Sequence, residues 1–107
     1  MDANEYQKLA MRTAKEECFN PCNLVMGLTS NAGECADIVK KHLWHGYEFN
    51  KSKLMKEFGD LLWYIALGCE MMDVKMSDVM QMNITELKSR YPDGFVKEGQ
   101  VLQDIIV

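Results

Sequence analysis

Two long segments of this chain repeat apolar residues with the period of an α-helix, and this pattern limits the possible folds more than any other feature. The segments span residues 22–43 and 51–72. Their apolar positions are Leu24, Leu28, Ala32, Cys35, Val39 and Leu43 in the first, and Leu54, Phe58, Leu61, Ile65, Cys69 and Met72 in the second. Because steps of three and four residues return to one face of a helix, we expect two long helices that pack through these faces.

Two further helices are predicted on either side of this pair. One spans residues 4–18 and stops at Asn20 and Pro21, because proline cannot continue a helix. The other begins after Ser77, a residue type suited to the N-cap, and ends at the Tyr91-Pro92-Asp93-Gly94 turn.

Short connections at residues 45–50 and 73–76 favour antiparallel neighbours among these four helices. The predicted fold class is therefore all-α, an antiparallel four-helix bundle that self-association would help to cover. We interpret residues 1–107 as one domain, with a core at about 4–95 and a C-terminal tail at 96–107.

Composition excludes several functional classes. Glycine and proline together are few, 7 and 2 of 107 residues, and 48% of the residues are apolar, which argues against disorder and against an all-β fold. A net charge of −4 argues against a broad nucleic-acid-binding surface. The sequence shows neither a signal-peptide pattern nor an apolar run long enough to span a bilayer. We expect a cytoplasmic protein with no nucleic-acid or membrane partner.

The cysteines and histidines give weaker signals. Cys35 and Cys69 fall within the helical apolar patterns and no CxxC pair is present, so buried thiols are favoured over a zinc site or a disulfide framework. His42 and His45 lie near the predicted end of a helix, where solvated side chains are favoured over a metal-binding pair.

A second stripe, mostly polar, runs beside each apolar stripe. Its members are Gly27, Asn31, Glu34, Ile38 and Lys41 on one helix, and Lys53, Glu57, Asp60 and Tyr64 on the other. If the helices pack antiparallel, Glu34, Glu57 and Asp60 border one groove. Carboxylates held close together repel unless a cation compensates them, and their oxygens suit Mg²⁺ or Mn²⁺.

The same residues also fit an ordinary solvent-exposed helix surface. Acidic residues three apart, such as Glu34 with Asp37, are common on solvated helices, and Glu57 would pair with Lys53 one turn earlier. The spacing alone leaves both interpretations open.

Four stretches of the chain carry a family resemblance. They are residues 5–14, residues 27–41 around Gly33-Glu34-Cys35-Ala36-Asp37, residues 53–64 around Lys56-Glu57-Phe58-Gly59-Asp60, and residues 83–95 ending in Arg90-Tyr91-Pro92-Asp93-Gly94-Phe95. In this order and at this spacing they resemble the signatures of the MazG-type nucleotide pyrophosphohydrolases, which are all-α enzymes. The resemblance covers roughly residues 4–95.

The resemblance implies hydrolysis of a nucleoside triphosphate to monophosphate and pyrophosphate, dependent on Mg²⁺ or Mn²⁺, by a homodimer or homotetramer that removes surplus or non-standard nucleotides. It implies three catalytic carboxylates, Glu34, Glu57 and Asp60, which bind the metal together with Asn31. It implies a substrate-binding set of Lys41, Lys53, Trp63, Asn83, Arg90 and Tyr91. For Trp63, a place in the core or in an oligomer interface is the alternative to stacking on a base.

Two residues depart from the family pattern. Asn31 stands where relatives have a metal-binding glutamate, and an amide oxygen brings no negative charge. Glu86 stands where many relatives have a phosphate-binding lysine, and there it would pair with Arg90 one turn later. A nucleotide- or metal-binding relative with weakened or no catalysis is therefore the alternative function, and a purely structural oligomerisation module is a third.

Overall fold

The computed structural model describes residues 1–93, which form four α-helices and one short 3₁₀ turn at Glu16–Cys18. The helices are α1 (Ala3–Met11), α2 (Pro21–Trp44), α3 (Lys51–Met71) and α4 (Met76–Arg90). This part of the chain contains no strand, so the all-α prediction is confirmed. Of the helices described, none is both long and apolar enough to cross a membrane. The predicted tail at 96–107 lies outside the described residues.

Side-chain caps define the starts of the first three helices. Asp2, Asn20 and Asn50 each accept a hydrogen bond from the backbone N–H three residues later. Pro21 occupies the first position of α2, where a backbone N–H would have no helical partner. Asn20 and Pro21 therefore start the second helix, whereas the prediction used them as the stop of the first.

The first helix is shorter than predicted because the chain turns at Thr13. α1 ends at Met11, not at Cys18. The Thr13 hydroxyl donates to the Ala10 carbonyl at 2.7 Å and accepts from the indole N–H of Trp63 at 2.8 Å. A threonine that bonds back to the preceding turn competes with continuation of the helix. The contact with Trp63 fixes this turn against α3.

Helices α2 and α3 form an antiparallel hairpin, as two contacts show. Gly27 lies against the ring of Tyr64, and a Cβ at Gly27 would clash with that ring. Farther along α2, the side-chain amide of Asn31 donates to Glu57 at 2.9 Å. The numbers of the contacting residues rise along α2 as they fall along α3, so the two helices run in opposite directions. Glycine at position 27 permits their close approach.

The surfaces that α2 and α3 turn toward each other differ from the predicted apolar stripes. Leu54 and Cys69 are buried as predicted. The predicted core residues Ala32, Leu43, Phe58, Ile65 and Met72 are exposed. In their place Ile38 and Glu57, members of the mostly polar stripes, are buried. The helices meet between the two stripes, so the outer part of each apolar stripe has no cover within one chain.

Two side chains of α1 supply the cap that α4 lacks. The predicted N-cap, Ser77, lies inside the helix, which begins one residue earlier, and Lys75 at the N-cap makes no side-chain hydrogen bond. The Gln7 side-chain oxygen accepts from the Met76 N–H at 2.7 Å, and the Asn4 oxygen accepts from the Ser77 N–H at 3.1 Å. Gln7 is buried, and its amide nitrogen also donates to α3 and to the loop after it. This clamp attaches α4 by its first turn.

Beyond the first turn, α4 lies uncovered in the single chain. Every residue from 78 to 90 is exposed, including Val79, Met82 and Leu87. The described chain is therefore a hairpin with α1 packed on α3, and α4 projects from it.

Candidate metal centre

Glu57 is the only buried charged residue in the described part of the chain, with 6% of its surface exposed. Its Oε2 accepts a hydrogen bond from the Asn31 amide at 2.9 Å, and its Oε1 lies 4.0 Å from the Lys56 ammonium. A buried carboxylate is costly unless charge or hydrogen bonds compensate it. One amide and one distant ammonium compensate it only in part, which leaves this site suited to a stronger cation.

Lys56 also reaches Asp60. Its ammonium lies 3.1 Å from Asp60 Oδ2, within a helical i,i+4 pair. The pKa of Lys56 is raised, first by the hydrogen bond to Asp60 and then by the charges of Asp60, Glu57 and Glu34. All three predicted carboxylates therefore act electrostatically on one cation.

Glu34 lies on the solvent side of this group and is exposed. The pKa of the half-buried Cys35 thiol is raised, mainly by burial and further by the charges of Glu57 and Glu34. As the side chains stand, no three His, Cys, Asp or Glu residues within 1–93 are close enough together to hold one ion. A metal would therefore require Glu34 and Asp60, which face solvent at least in part, to turn toward the fixed Glu57.

The donor set fits a hard divalent cation. Asn31, Glu34, Glu57 and Asp60 present only amide and carboxylate oxygens to such an ion, the ligands that Mg²⁺ and Mn²⁺ prefer. The Asn31 amide uses its nitrogen to reach Glu57, so its oxygen is the atom left for a metal. An ammonium already lies near two of the carboxylates, as expected where the local charge favours a cation.

A pocket of about 360 Å³ opens beside these residues and is lined by Asn31, Asp60, Trp63 and Tyr64. The two aromatic rings meet edge to face, with centroids 5.1 Å apart. The hydrogen bond from the Trp63 indole to Thr13 orients one ring, and Gly27 makes room for the other. The pocket thus combines flat apolar walls with a carboxylate.

The two lysines of the predicted substrate-binding set, Lys41 and Lys53, do not line this pocket. Lys41 forms an i,i+4 ion pair with Asp37, at 2.9 Å. The pKa of Asp37 is lowered, mainly by the hydrogen bond from Lys41, with smaller effects of the Lys40 and Lys53 charges. Both lysines therefore act on the charge of Asp37, and Lys41 does so through a direct ion pair.

The predicted substrate-binding residues of α4 do not line this pocket. Asn83 is exposed on α4, and Tyr91 caps the C-terminal end of that helix. Arg90 is hydrogen-bonded to Glu86, the pairing predicted from their spacing, and its guanidinium lies 5.9 Å from the Tyr91 ring centroid. The single chain brings Asn31, Glu57, Asp60 and Trp63 together, but it does not add the α4 residues to them.

Sequence reasoning missed two residues of this site. Lys56 was not among the predicted site residues, although its i,i+4 spacing to Asp60 was a visible signal. Tyr64 was assigned to the polar stripe but not to the site, and its place in the pocket depends on Gly27 of the facing helix. No local pattern on α3 reveals that contact.

Comparison with known proteins adds two findings. Residues 19–95 match the family model described as the MazG nucleotide pyrophosphohydrolase domain. The chain is also 33% identical, over an alignment of 108 residues, to the Gene 37 protein of Mycobacterium phage L5. The alignment covers 91% of this chain and 95% of that protein. No solved structure matches the chain.

Proposed function

Because the chain belongs to the MazG nucleotide pyrophosphohydrolase family, we propose that it hydrolyses a nucleoside triphosphate to nucleoside monophosphate and pyrophosphate. The observation that carries the proposal is the buried carboxylate of Glu57, held by Asn31 next to Asp60 and to a pocket with aromatic walls. A helix interface retains such a carboxylate at a cost in stability, which a binding function explains.

We propose that Asn31, Glu34, Glu57 and Asp60 hold Mg²⁺ or Mn²⁺. When bound, the ion neutralises phosphate oxygens and lowers the pKa of a bound water. Burial and the Asn31 hydrogen bond keep Glu57 in place, so it is the fixed member of the set. Glu34 and Asp60 approach from the solvent side, where their side chains can change rotamer.

The remaining predicted residues have roles that follow from their chemistry. Lys53 and Lys41 would attract the triphosphate, whose charge the acidic chain otherwise repels. The Trp63 indole N–H is already bonded to Thr13, so this ring would contact a base through its face or edge, not through a hydrogen bond. Asn83, Arg90 and Tyr91 would reach the substrate only from α4.

A pyrophosphate-release assay with a panel of ribo- and deoxyribonucleoside triphosphates tests the proposed function. We expect release that requires Mg²⁺ or Mn²⁺ and stops when EDTA is added. If no pyrophosphate is released from any nucleotide with either metal, the proposed enzymatic activity is ruled out.

The weakened or inactive relative is the second candidate, and two observations favour it. Asn31 brings no charge to the ion, and Arg90 is already paired with Glu86. In that case nucleotide together with metal would raise the melting temperature without any turnover.

The uncovered apolar faces support the proposal that the protein is a homodimer or homotetramer. On α3, Met55, Phe58, Leu62 and Ile65 form one exposed stripe at helical spacing, and α4 is exposed over nearly all its length. Sedimentation equilibrium should give a multiple of the 12.3 kDa chain mass, and a monomer at micromolar concentration would contradict the proposal.

A further inference from the structure

One cation of this chain already lies among the candidate metal ligands. Lys56 Nζ is 3.1 Å from Asp60 Oδ2 and 4.0 Å from Glu57 Oε1. The other ion pairs in the described residues join Lys41 to Asp37 and Arg90 to Glu86, away from these two carboxylates. Within residues 1–93, Lys56 is thus the one ammonium within ion-pair distance of Glu57 or Asp60.

We propose that Lys56 is an internal counter-ion of this site and that a divalent cation binds by displacing its ammonium from Asp60 and Glu57. The inference rests on the metal-dependent function proposed above. An ammonium and a metal ion are attracted by the same carboxylate oxygens and repel each other, so the site cannot hold both closely. The charge of Lys56 therefore lowers the affinity of the site for metal.

The structure makes Lys56 easy to displace. Its side chain is 70% exposed, and its flexible stem lets the ammonium return to water without any change in α3. The side chain of Glu57, in contrast, is only 8% exposed and cannot leave the helix interface in this way. Exposed lysine–carboxylate pairs contribute little to stability. A divalent cation that gains several oxygen ligands therefore displaces the Lys56 ammonium from its carboxylates.

The test compares the affinity for Mn²⁺, by calorimetry and by the electron paramagnetic resonance signal of free Mn²⁺, across four proteins. These are the wild type, Lys56→Met, Lys56→Arg and Lys51→Met. Methionine keeps the length and helix propensity of lysine without its charge. Lys51 is on the same helix, so Lys51→Met makes the same change in net charge outside the carboxylate pair.

We expect Lys56→Met to bind Mn²⁺ about threefold to fivefold more tightly than the wild type, the upper part of the range given by removal of one exposed ion pair. Lys56→Arg and Lys51→Met should stay within about twofold of the wild type on the same reasoning. In NMR spectra of the lysine ammonium groups, Mg²⁺ should move the Lys56 signal of the wild-type protein and leave that of Lys51 in place.

The outcomes separate this inference from the function on which it rests. Equal Mn²⁺ affinity in the wild type and Lys56→Met would overturn the proposed counter-ion role of Lys56, but it would not contradict the metal-dependent function. Weaker binding by Lys56→Met also overturns it, because Lys56 would then be holding the carboxylates in place for the ion. Absence of Mn²⁺ binding in all four proteins overturns the metal-dependent function and the displacement together.

Discussion

Glu57→Gln and Asp60→Asn should each lower kcat/KM for pyrophosphate release by at least about 100-fold, while the helix content stays unchanged. Loss of a residue that merely supports a metal ligand typically costs about 10- to 100-fold, so loss of a ligand itself belongs at or beyond the upper limit. Metal affinity, measured by calorimetry with Mn²⁺, should fall in both variants.

The two substitutions separate a binding role from a structural one. Glutamine is nearly isosteric with Glu57, and its side-chain oxygen can still accept the Asn31 hydrogen bond, so the packing is retained. Because the change removes a buried charge, the free energy of unfolding in metal-free buffer should stay the same or rise. Asp78→Asn on the exposed part of α4 is the matched control and should keep wild-type activity. A Glu57→Gln protein that unfolds, or one that remains active, would refute the assignment.

Asn31→Glu is expected to have opposite effects on the free and the metal-bound protein. Without metal, the new carboxylate would face Glu57 where the Asn31 amide now donates a hydrogen bond. We expect the free energy of unfolding to fall by about 3 kcal/mol, the typical size for an uncompensated buried charge. With Mg²⁺, the same carboxylate becomes a charged ligand, so affinity should rise at least about tenfold, since a full negative charge replaces a dipole close to the ion.

Urea denaturation with and without Mg²⁺ measures both halves of this prediction. A ligand present at about 100 times its dissociation constant stabilises the folded state by about 2.7 kcal/mol, enough to recover most of the loss. Ser30→Glu adds the same charge at the adjacent, exposed position and should show neither effect. If Asn31→Glu destabilises the protein equally with and without Mg²⁺, the side chain at position 31 does not face the metal.

The sequence was sufficient to predict where the helices lie, but not which of their faces are buried. The period of the apolar residues and the turn residues at 45–50 predicted α2 and α3 to within a residue at each end. The burial of Glu57 and the exposure of Phe58 could not be predicted, because neighbouring stripes on one helix differ by a small rotation and the partner helix decides between them.

The site shows the same division between local and long-range information. The i,i+4 pair of Lys56 with Asp60 is local and was available from spacing alone. The hydrogen bond of Asn31 to Glu57 joins residues 26 apart, and the contact of Tyr64 with Gly27 depends on the register of the whole hairpin. The catalytic, metal-binding and substrate-binding roles of all the predicted site residues stay predictions.

The clamp on α4 also sets an order for folding. Gln7 and Met76 are 69 positions apart, whereas the hydrogen bond that joins α2 to α3 spans 26. The hairpin closes a shorter loop and can form as soon as its own two helices exist, so we expect it to come first. During synthesis α4 is the last of the four to emerge, and until then the side-chain oxygen of Gln7 lacks the Met76 N–H from which it accepts in the native fold. We therefore expect the contact between α1 and α4, which lie near opposite ends of the described chain, to form in the last step of folding.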